Sequence, residues 1–204
     1  APWHIAHMLP NIRAACDATT LYLFYDVADS SPWLNTGNDW TLLFKTGDSI
    51  DLQLAANLSA PAGRSQPAPG DLRLLIAPFQ GKDVAVLYRH RLSGAKDNPI
   101  TFNCPWRSET VDSVKLLESV RIGVSKEKNG YRVEVAVPLS DLGLGNPGGK
   151  TFAADFGVIY GDDSGAINML RSYWSNQNTG LVNDVPGEIM LTPKLWGKLT
   201  IEGQ

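Results

Sequence analysis

Short stretches in which apolar and polar residues alternate recur along the chain. Alternation of this kind puts successive side chains on opposite faces of a β-strand. In residues 50–54, Ile50, Leu52 and Leu54 share one face, and Asp51 and Gln53 share the other. Comparable stretches lie at 21–27, 72–76, 84–88, 120–124, 131–137, 152–160, 166–173 and 199–202. We predict a strand for each stretch.

Turn residues separate these stretches. Asn129-Gly130 stands between two alternating runs and predicts a tight hairpin. Gly81 predicts a turn between the third and fourth strands. Residues 59–70 hold three prolines and two glycines and predict a loop, since proline cannot donate to a strand ladder.

Helical signals are few. Residues 138–143 predict one turn ended by Gly143. Residues 38–44 predict another, capped by Asn38 or Asp39. No helix is long enough for the repeated crossovers of a parallel sheet.

About nine or ten short strands punctuated by turns therefore predict an all-β fold. We expect an antiparallel β-sandwich, jelly-roll or immunoglobulin-like, with one or two short helical turns. Residues 1–204 are interpreted as one such domain, excised from a larger extracellular protein, with its secretion signal outside this sequence.

Composition narrows the class of partner. Hydrophobic residues make up 43% of the chain and charged residues 19%, enough for a sizeable core. The formal charge of −3 gives no cationic field for nucleic acid or anionic lipid. No apolar run reaches the roughly 20 residues of a membrane-spanning helix. Cys16 and Cys104 permit either one disulfide or two buried thiols.

Three pairs of segments carry a family resemblance. They are 21–29 with 47–52, 130–139 with 142–144, and 172–176 with 195–199. The first pair resembles a strand followed by Asp-Ser-Val-Glu, the second resembles Gly-Tyr-x-Val-Glu-x-x-Ile-Pro, and the third resembles a Trp-Asn loop with a closing Trp-Gly-x-Leu strand. In this order they resemble the family 9 carbohydrate-binding modules and the broader DOMON-like sandwiches. The resemblance implies a sandwich that binds carbohydrate.

The resemblance also implies site residues. The Trp-Asn pair falls on Trp174 and, after an inserted serine, on Asn176, and the sugar-contacting Glu falls on Asp51. Lys45 stands where sugar binders of the family have a second, clamping tryptophan. Trp40 or Trp33 would then have to replace that ring, or the two-sided clamp is missing.

The residue types agree with sugar chemistry. A pyranose offers C–H faces to flat apolar rings and hydroxyls to planar polar groups. Tyr173 adds a ring, and Arg171, Arg89 and Arg91 offer forked donors. Trp33 and Trp106 are expected in exposed loops.

Each candidate also has a plainer interpretation. Trp174 could pack its loop against the edge of the sandwich. Asp51 could face water or pair with an arginine such as Arg89. The arginines could cover exposed sheet with their stems.

Structural calcium is possible, because the family resemblance implies it in some members and loop carboxylates suit that ion. The candidates are Asp26, Asp29, Asp48, Asp155, Asp162, Asp163 and Asp184. Zinc has little support from His4, His7 and the isolated His90. No other cofactor is expected.

The leading hypothesis is a non-catalytic module that binds a polysaccharide or oligosaccharide, with a β-linked glucan or xylan favoured, as a monomer tethered to other domains. One alternative is a haem-binding DOMON-like domain, for which Met8, Met169, Met190 and His90 are the available ligands. Another is a structural or protein-interaction domain without a sugar ligand. An enzyme is not expected, because no catalytic motif is present.

Overall fold

Strands are the predominant secondary structure of the described residues. The computed structural model describes residues 10–179 and 184–203. Within these ranges the strands are β1 (Asn11–Cys16), β2 (Thr20–Ala28), β3 (Ser49–Ala55), β4 (Asp71–Phe79), β5 (Lys82–Arg89), β6 (Ile100–Cys104), β7 (Arg107–Val111), β8 (Ser113–Leu116), β9 (Arg121–Glu127), β10 (Gly130–Pro138), β11 (Thr151–Gly161), β12 (Asn168–Tyr173) and β13 (Gly197–Thr200). One short helix, α1 (Val185–Ile189), and 3₁₀ turns at Trp40–Lys45, Leu139–Leu142 and Pro193–Leu195 complete the elements. Among these described elements, no helix has the length and apolar character needed to cross a membrane.

Two antiparallel sheets face each other. The smaller has the strand order β1-β2-β10-β9. The larger has the order β12-β11-β3-β4-β5-β8, with β13 paired to β11. A separate hairpin joins β6 and β7. The prediction of an antiparallel β-sandwich is confirmed.

The alternation of β3 sorts its side chains as predicted. Ile50, Leu52 and Leu54 lie in the core between the sheets. Asp51 and Gln53 point to the opposite face, yet every residue of β3 is buried. A second apolar cluster covers that face, built from the Trp40–Lys45 turn, the β6–β7 hairpin and α1. The larger sheet is therefore covered on both faces.

Both predicted helical turns are present. Asp39 caps the first by accepting a hydrogen bond from the Thr41 N–H. Gly143 ends the second with a φ of 69°, in the left-handed region that favours glycine. Of the two interpretations of the cysteines, the structure selects free thiols, since both are unbridged and half-buried.

Candidate functional site

A buried carboxylate shapes the loop that follows β12. Asp155 of β11 accepts hydrogen bonds from the backbone N–H groups of Ser175, at 2.8 Å, and Asn176, at 2.9 Å. A third comes from Phe156, at 3.0 Å. Burial is the main influence on this carboxyl and raises its pKa to about 6. The loop is therefore tied to the sheet immediately after Trp174.

Trp174 leaves this loop on the side of the core and forms one wall of a groove. Its ring is 50% exposed and lies 6.0 Å from the ring of Phe156, measured between centroids. Gly197 lies beneath the indole, where a Cβ would come within 2.5 Å of Cζ3 of Trp174. Gly197, the glycine of the closing Trp-Gly-x-Leu motif, therefore leaves the space in which the Trp174 ring packs.

The Trp174 groove lies between β1 of the smaller sheet and β13 beside β11 of the larger one. Its volume is about 670 Å³. Apolar lining comes from Ile12, Phe156 and Leu199, and polar lining comes from Gln177, Lys198 and Thr200. The Gln177 amide nitrogen donates to the Tyr173 carbonyl at 2.8 Å, which fixes its side chain beside the indole. An apolar floor with polar groups at its margin is an arrangement typical of small-ligand sites.

Tyr173, the preceding residue, points to the opposite face of the sheet. Its ring packs on Gly157, and its hydroxyl donates to Oδ2 of Asp51. Arg73 pairs with the same carboxylate oxygen, with 2.6 Å between the nitrogen and the oxygen. Both Asp51 and Arg73 are almost completely buried. These residues form the centre of a buried charge network.

Helix α1 closes this network from outside. The Glu188 carboxylate pairs with Arg171 and, at 2.7 Å, with Lys45. The Glu188 carbonyl accepts a hydrogen bond from Arg73 at 3.1 Å. The buried charge network therefore comprises Asp51, Arg73, Tyr173, Arg171, Glu188 and Lys45, which pair with one another. Oδ1 of Asp51 and the Nε atoms of Arg73 and Arg171 have no hydrogen-bond partner among the described residues.

Asp51 needs a correction on two points. It does not face water, since its exposed fraction is 0%. It pairs with Arg73 rather than with Arg89. Because α1 and the Trp40–Lys45 turn cover it, Asp51 does not share a surface with Trp174. The alternation of β3 identified its face correctly but could not show what lies above that face.

The remaining polar candidates also serve the fold. Asn176 is buried, and its side-chain oxygen accepts the Asn178 N–H. Arg89 is half-buried and donates to the Asp141 carbonyl at 2.5 Å. Arg91 pairs with Glu109 at 3.0 Å.

The other tryptophans lie in separate surroundings. Trp33, expected in an exposed loop, is buried against Tyr131, with its Nε1 donating to Asp83 at 2.8 Å. Trp40 is half-buried against the second apolar cluster. Only the expectation for Trp106 matches its position, since it is 67% exposed in the β6–β7 turn. Neither Trp33 nor Trp40 forms a clamp with Trp174.

The acidic loops mainly bind backbone N–H groups. Asp48 accepts from Gly161 and Leu34, and Asp162 accepts from Ala166 and Ile167. Burial raises the pKa of Asp48 to about 7. Within residues 10–179 and 184–203, no group of three or more His, Cys, Asp or Glu side chains could hold a metal ion. A calcium site built on three or more carboxylates is therefore not present among these described residues.

His90 lies inside the fold. It is completely buried, and one ring nitrogen, Nε2, lies 2.8 Å from the Ile189 carbonyl. Burial lowers its pKa to about 3, so the ring is neutral. Met169 lies on an exposed surface, and His4, His7 and Met8 fall outside the described residues. His90 and Met169 therefore do not form a pair of axial haem ligands.

Sequence reasoning missed most of the Trp174 groove. Phe156 and Leu199 were recognised only as strand residues, and Gln177 was not recognised as a candidate. β1, which supplies the facing wall, was not predicted at all. The alternation of Ile12, Ala14 and Cys16 in Asn11–Cys16 was the available signal.

The fold is similar to the β-sandwich of family 9 carbohydrate-binding modules. A family 9 module from Caldicellulosiruptor kristjanssonii, in complex with cellotriose, is similar with a TM-score of 0.56 at 15% identity, covering 99% of this chain and 79% of that one. A second family 9 structure from the same organism, in complex with glucose, has the same TM-score and identity and covers 99% and 81%. No protein-family model matches the chain, and no curated protein matches it either. The resemblance seen in the sequence is confirmed at the level of fold.

Proposed function

We propose that this chain is a non-catalytic carbohydrate-binding module and that the Trp174 groove holds sugar units of a β-linked glucan or xylan. The observation that carries the proposal is the half-exposed Trp174 ring beside an apolar floor. An indole face of this kind can cover the C–H side of a pyranose, while Gln177, Lys198 and Thr200 are within the same groove to meet its hydroxyls.

The make-up of the groove supports binding rather than catalysis. Glycoside hydrolysis uses a pair of carboxyl groups on either side of the scissile bond. Among the described residues that line the groove there is no Asp or Glu. The family 9 structures of similar fold contain cellotriose and glucose, which makes these sugars the first ligands to test.

The proposal includes the setting of the module. A polysaccharide ligand fits an extracellular protein in which this sandwich is tethered to other domains as a monomer. Binding through one groove needs no second copy of the chain.

Titration of the protein with cellotriose and xylotriose, followed by calorimetry, tests the proposal. We expect Trp174→Ala to weaken binding by about 10- to 100-fold, as the loss of one stacked aromatic ring would. Trp106→Ala is the matched control, because it removes another exposed tryptophan, which lies in the β6–β7 turn outside the groove. Equal binding by both variants would show that Trp174 is not part of the site. If the chain bound no sugar on a glycan array, the sugar-binding function itself would be overturned.

A further inference from the structure

The outer face of the smaller sheet is a second groove. In register across the four strands, one row contains Ala15, Tyr22, Ala136 and Arg121. The next row contains Arg13, Phe24, Glu134 and Gly123. We call these eight residues the Tyr22 face. They line a depression of about 720 Å³ that is open along its length.

Small residues make this face concave. Gly123 lies in the middle of β9, and a Cβ added there would meet nothing within 4 Å. Its φ is not positive, so neither packing nor backbone conformation requires a glycine. Glycine within a strand costs about 0.5–1 kcal/mol relative to alanine. Gly123 therefore weakens the strand and in return leaves space between Arg121 and Glu134.

The side chains around this space are of types that can bind a sugar. Tyr22 is 40% exposed, and its hydroxyl donates to Asp17 at 2.8 Å, which fixes the ring. The Arg13 guanidinium lies 5.9 Å from the centre of the Phe24 ring. Rings that are held in place offer flat surfaces at low entropic cost, and Arg and Glu offer donors and acceptors to hydroxyls.

Charges of both signs lie on the Tyr22 face. Arg13 and Arg121 flank Glu134, so both signs alternate across the depression. A polyanion would have to approach a carboxylate in the centre of the groove. A neutral glycan meets no such repulsion.

The two grooves adjoin each other. Ala14 of β1 lines the Trp174 groove and also the Tyr22 face. Arg13 and Ala15, its neighbours, lie on the Tyr22 face, while Ile12 lies in the Trp174 groove. β1 is an edge strand, so the wall between the two sites is one strand wide.

We propose that the Tyr22 face binds the continuation of the glucan chain whose first sugars occupy the Trp174 groove. The inference rests on the proposed function and extends it from a site for a few sugars to a surface for a neutral β-linked chain. A ligand too short to pass β1 gains nothing from the second groove. A longer ligand gains the contacts with Tyr22, Phe24 and the two arginines.

Chain length is therefore the variable to test. Calorimetry of the whole chain with cellotriose, cellohexaose and hydroxyethyl cellulose should give affinity that rises with length. Gly123→Val fills the depression with a residue that strands favour, so we expect an unchanged or higher Tm. We expect it to lower cellohexaose affinity about tenfold while cellotriose affinity stays within twofold.

Ser125→Val is the matched control, since it places the same side chain on the same face of β9 outside the groove. Tyr22→Ala removes a contact instead of filling space and should repeat the loss for cellohexaose. If Gly123→Val and Tyr22→Ala bind cellohexaose as the unaltered chain does, the inference is overturned while the Trp174 site stands. Concentration-dependent self-association that Gly123→Val abolishes, without any effect on glucan binding, would instead assign the face to a second copy of the chain.

Discussion

Tyr173 and Trp174 are neighbours in the chain, yet they lie in opposite kinds of environment. Tyr173 enters the buried charge network, where Arg73 pairs with Asp51 and with the Glu188 carbonyl beneath α1. Trp174 enters an open groove, where half of its ring remains exposed. The polar residues around Tyr173 resemble a binding site in the sequence, but α1 and the Trp40–Lys45 turn cover them. The side that is mostly apolar is the one that remains accessible.

The largest expected effect comes from breaking the buried charge network. We expect Arg73→Met to lower the free energy of unfolding by about 3–5 kcal/mol, because it leaves the Asp51 carboxylate buried without its partner. Unfolding in guanidinium chloride measures the loss. The double variant Arg73→Met with Asp51→Leu should lose much less, since no charge is then left unpaired.

The same variants test whether the buried charge network or the Trp174 groove binds the sugar. If the network is structural, Asp51→Leu with Arg73→Met keeps its cellotriose affinity. A folded double variant that no longer binds cellotriose would move the sugar site to the network and require α1 to open.

Asp155 offers a test through pH. Its pKa rises from 3.8 to about 6 on folding, so the protonated form is favoured in the folded state. The contribution of this group to stability is therefore greatest below pH 4 and is lost as the pH rises through about 6, by up to about 3 kcal/mol. Asp48, with a pKa raised to about 7, adds a slope of the same sign. We expect unfolding experiments from pH 4 to 7 to show the combined slope in the unaltered chain and a flatter one in Asp155→Asn, where only the Asp48 contribution remains.

Asp162 is the control for that experiment. Hydrogen bonds from Ser164 and Ile167 lower its pKa to about 2, so it stays ionised throughout this pH range. Asp162→Asn should leave the slope between pH 4 and 7 unchanged. An identical slope in Asp155→Asn would mean that this carboxyl is not the group that titrates.

Gly197 tests how Trp174 is positioned. A Cβ at this residue would lie 2.5 Å from Cζ3 of the indole, so Gly197→Ala should displace the ring. We expect a loss of stability of about 1–2 kcal/mol, as for other overpacked sites, and weaker cellotriose binding. In a chain that already carries Trp174→Ala, the same change should cost almost nothing, and this double-mutant cycle isolates the contact. A cost that is equal in both backgrounds would show that Gly197 serves the strand rather than the tryptophan.

The sequence predicted the sandwich because its evidence is local. Alternation in β3 and β10, the turn at Gly143 and the cap at Asp39 each depend on a few adjacent residues. The covering of the larger sheet depends on residues far apart, since Glu188 reaches Lys45 and Arg73 across more than a hundred positions. Period-two alternation states which residues share a face, but it does not state whether water or another layer lies above them. For this reason Trp174 could be proposed from the sequence, whereas the burial of Asp51, Tyr173 and Trp33 could not.

Lys45 gives the smallest expected effect and the most direct test of the closed side. It pairs with Glu188 at 2.7 Å, but its side chain is 30% exposed and Arg171 shares the same carboxylate. We expect Lys45→Met to cost only about 0.2–1 kcal/mol. Lys45→Trp restores the ring that the family resemblance implies at this position, yet α1 still covers the network beside it. Cellotriose affinity should therefore change by less than twofold in calorimetry. A clear gain in affinity would mean that the new ring contacts sugar beside the buried charge network. The Trp174 groove would then not be the main sugar site.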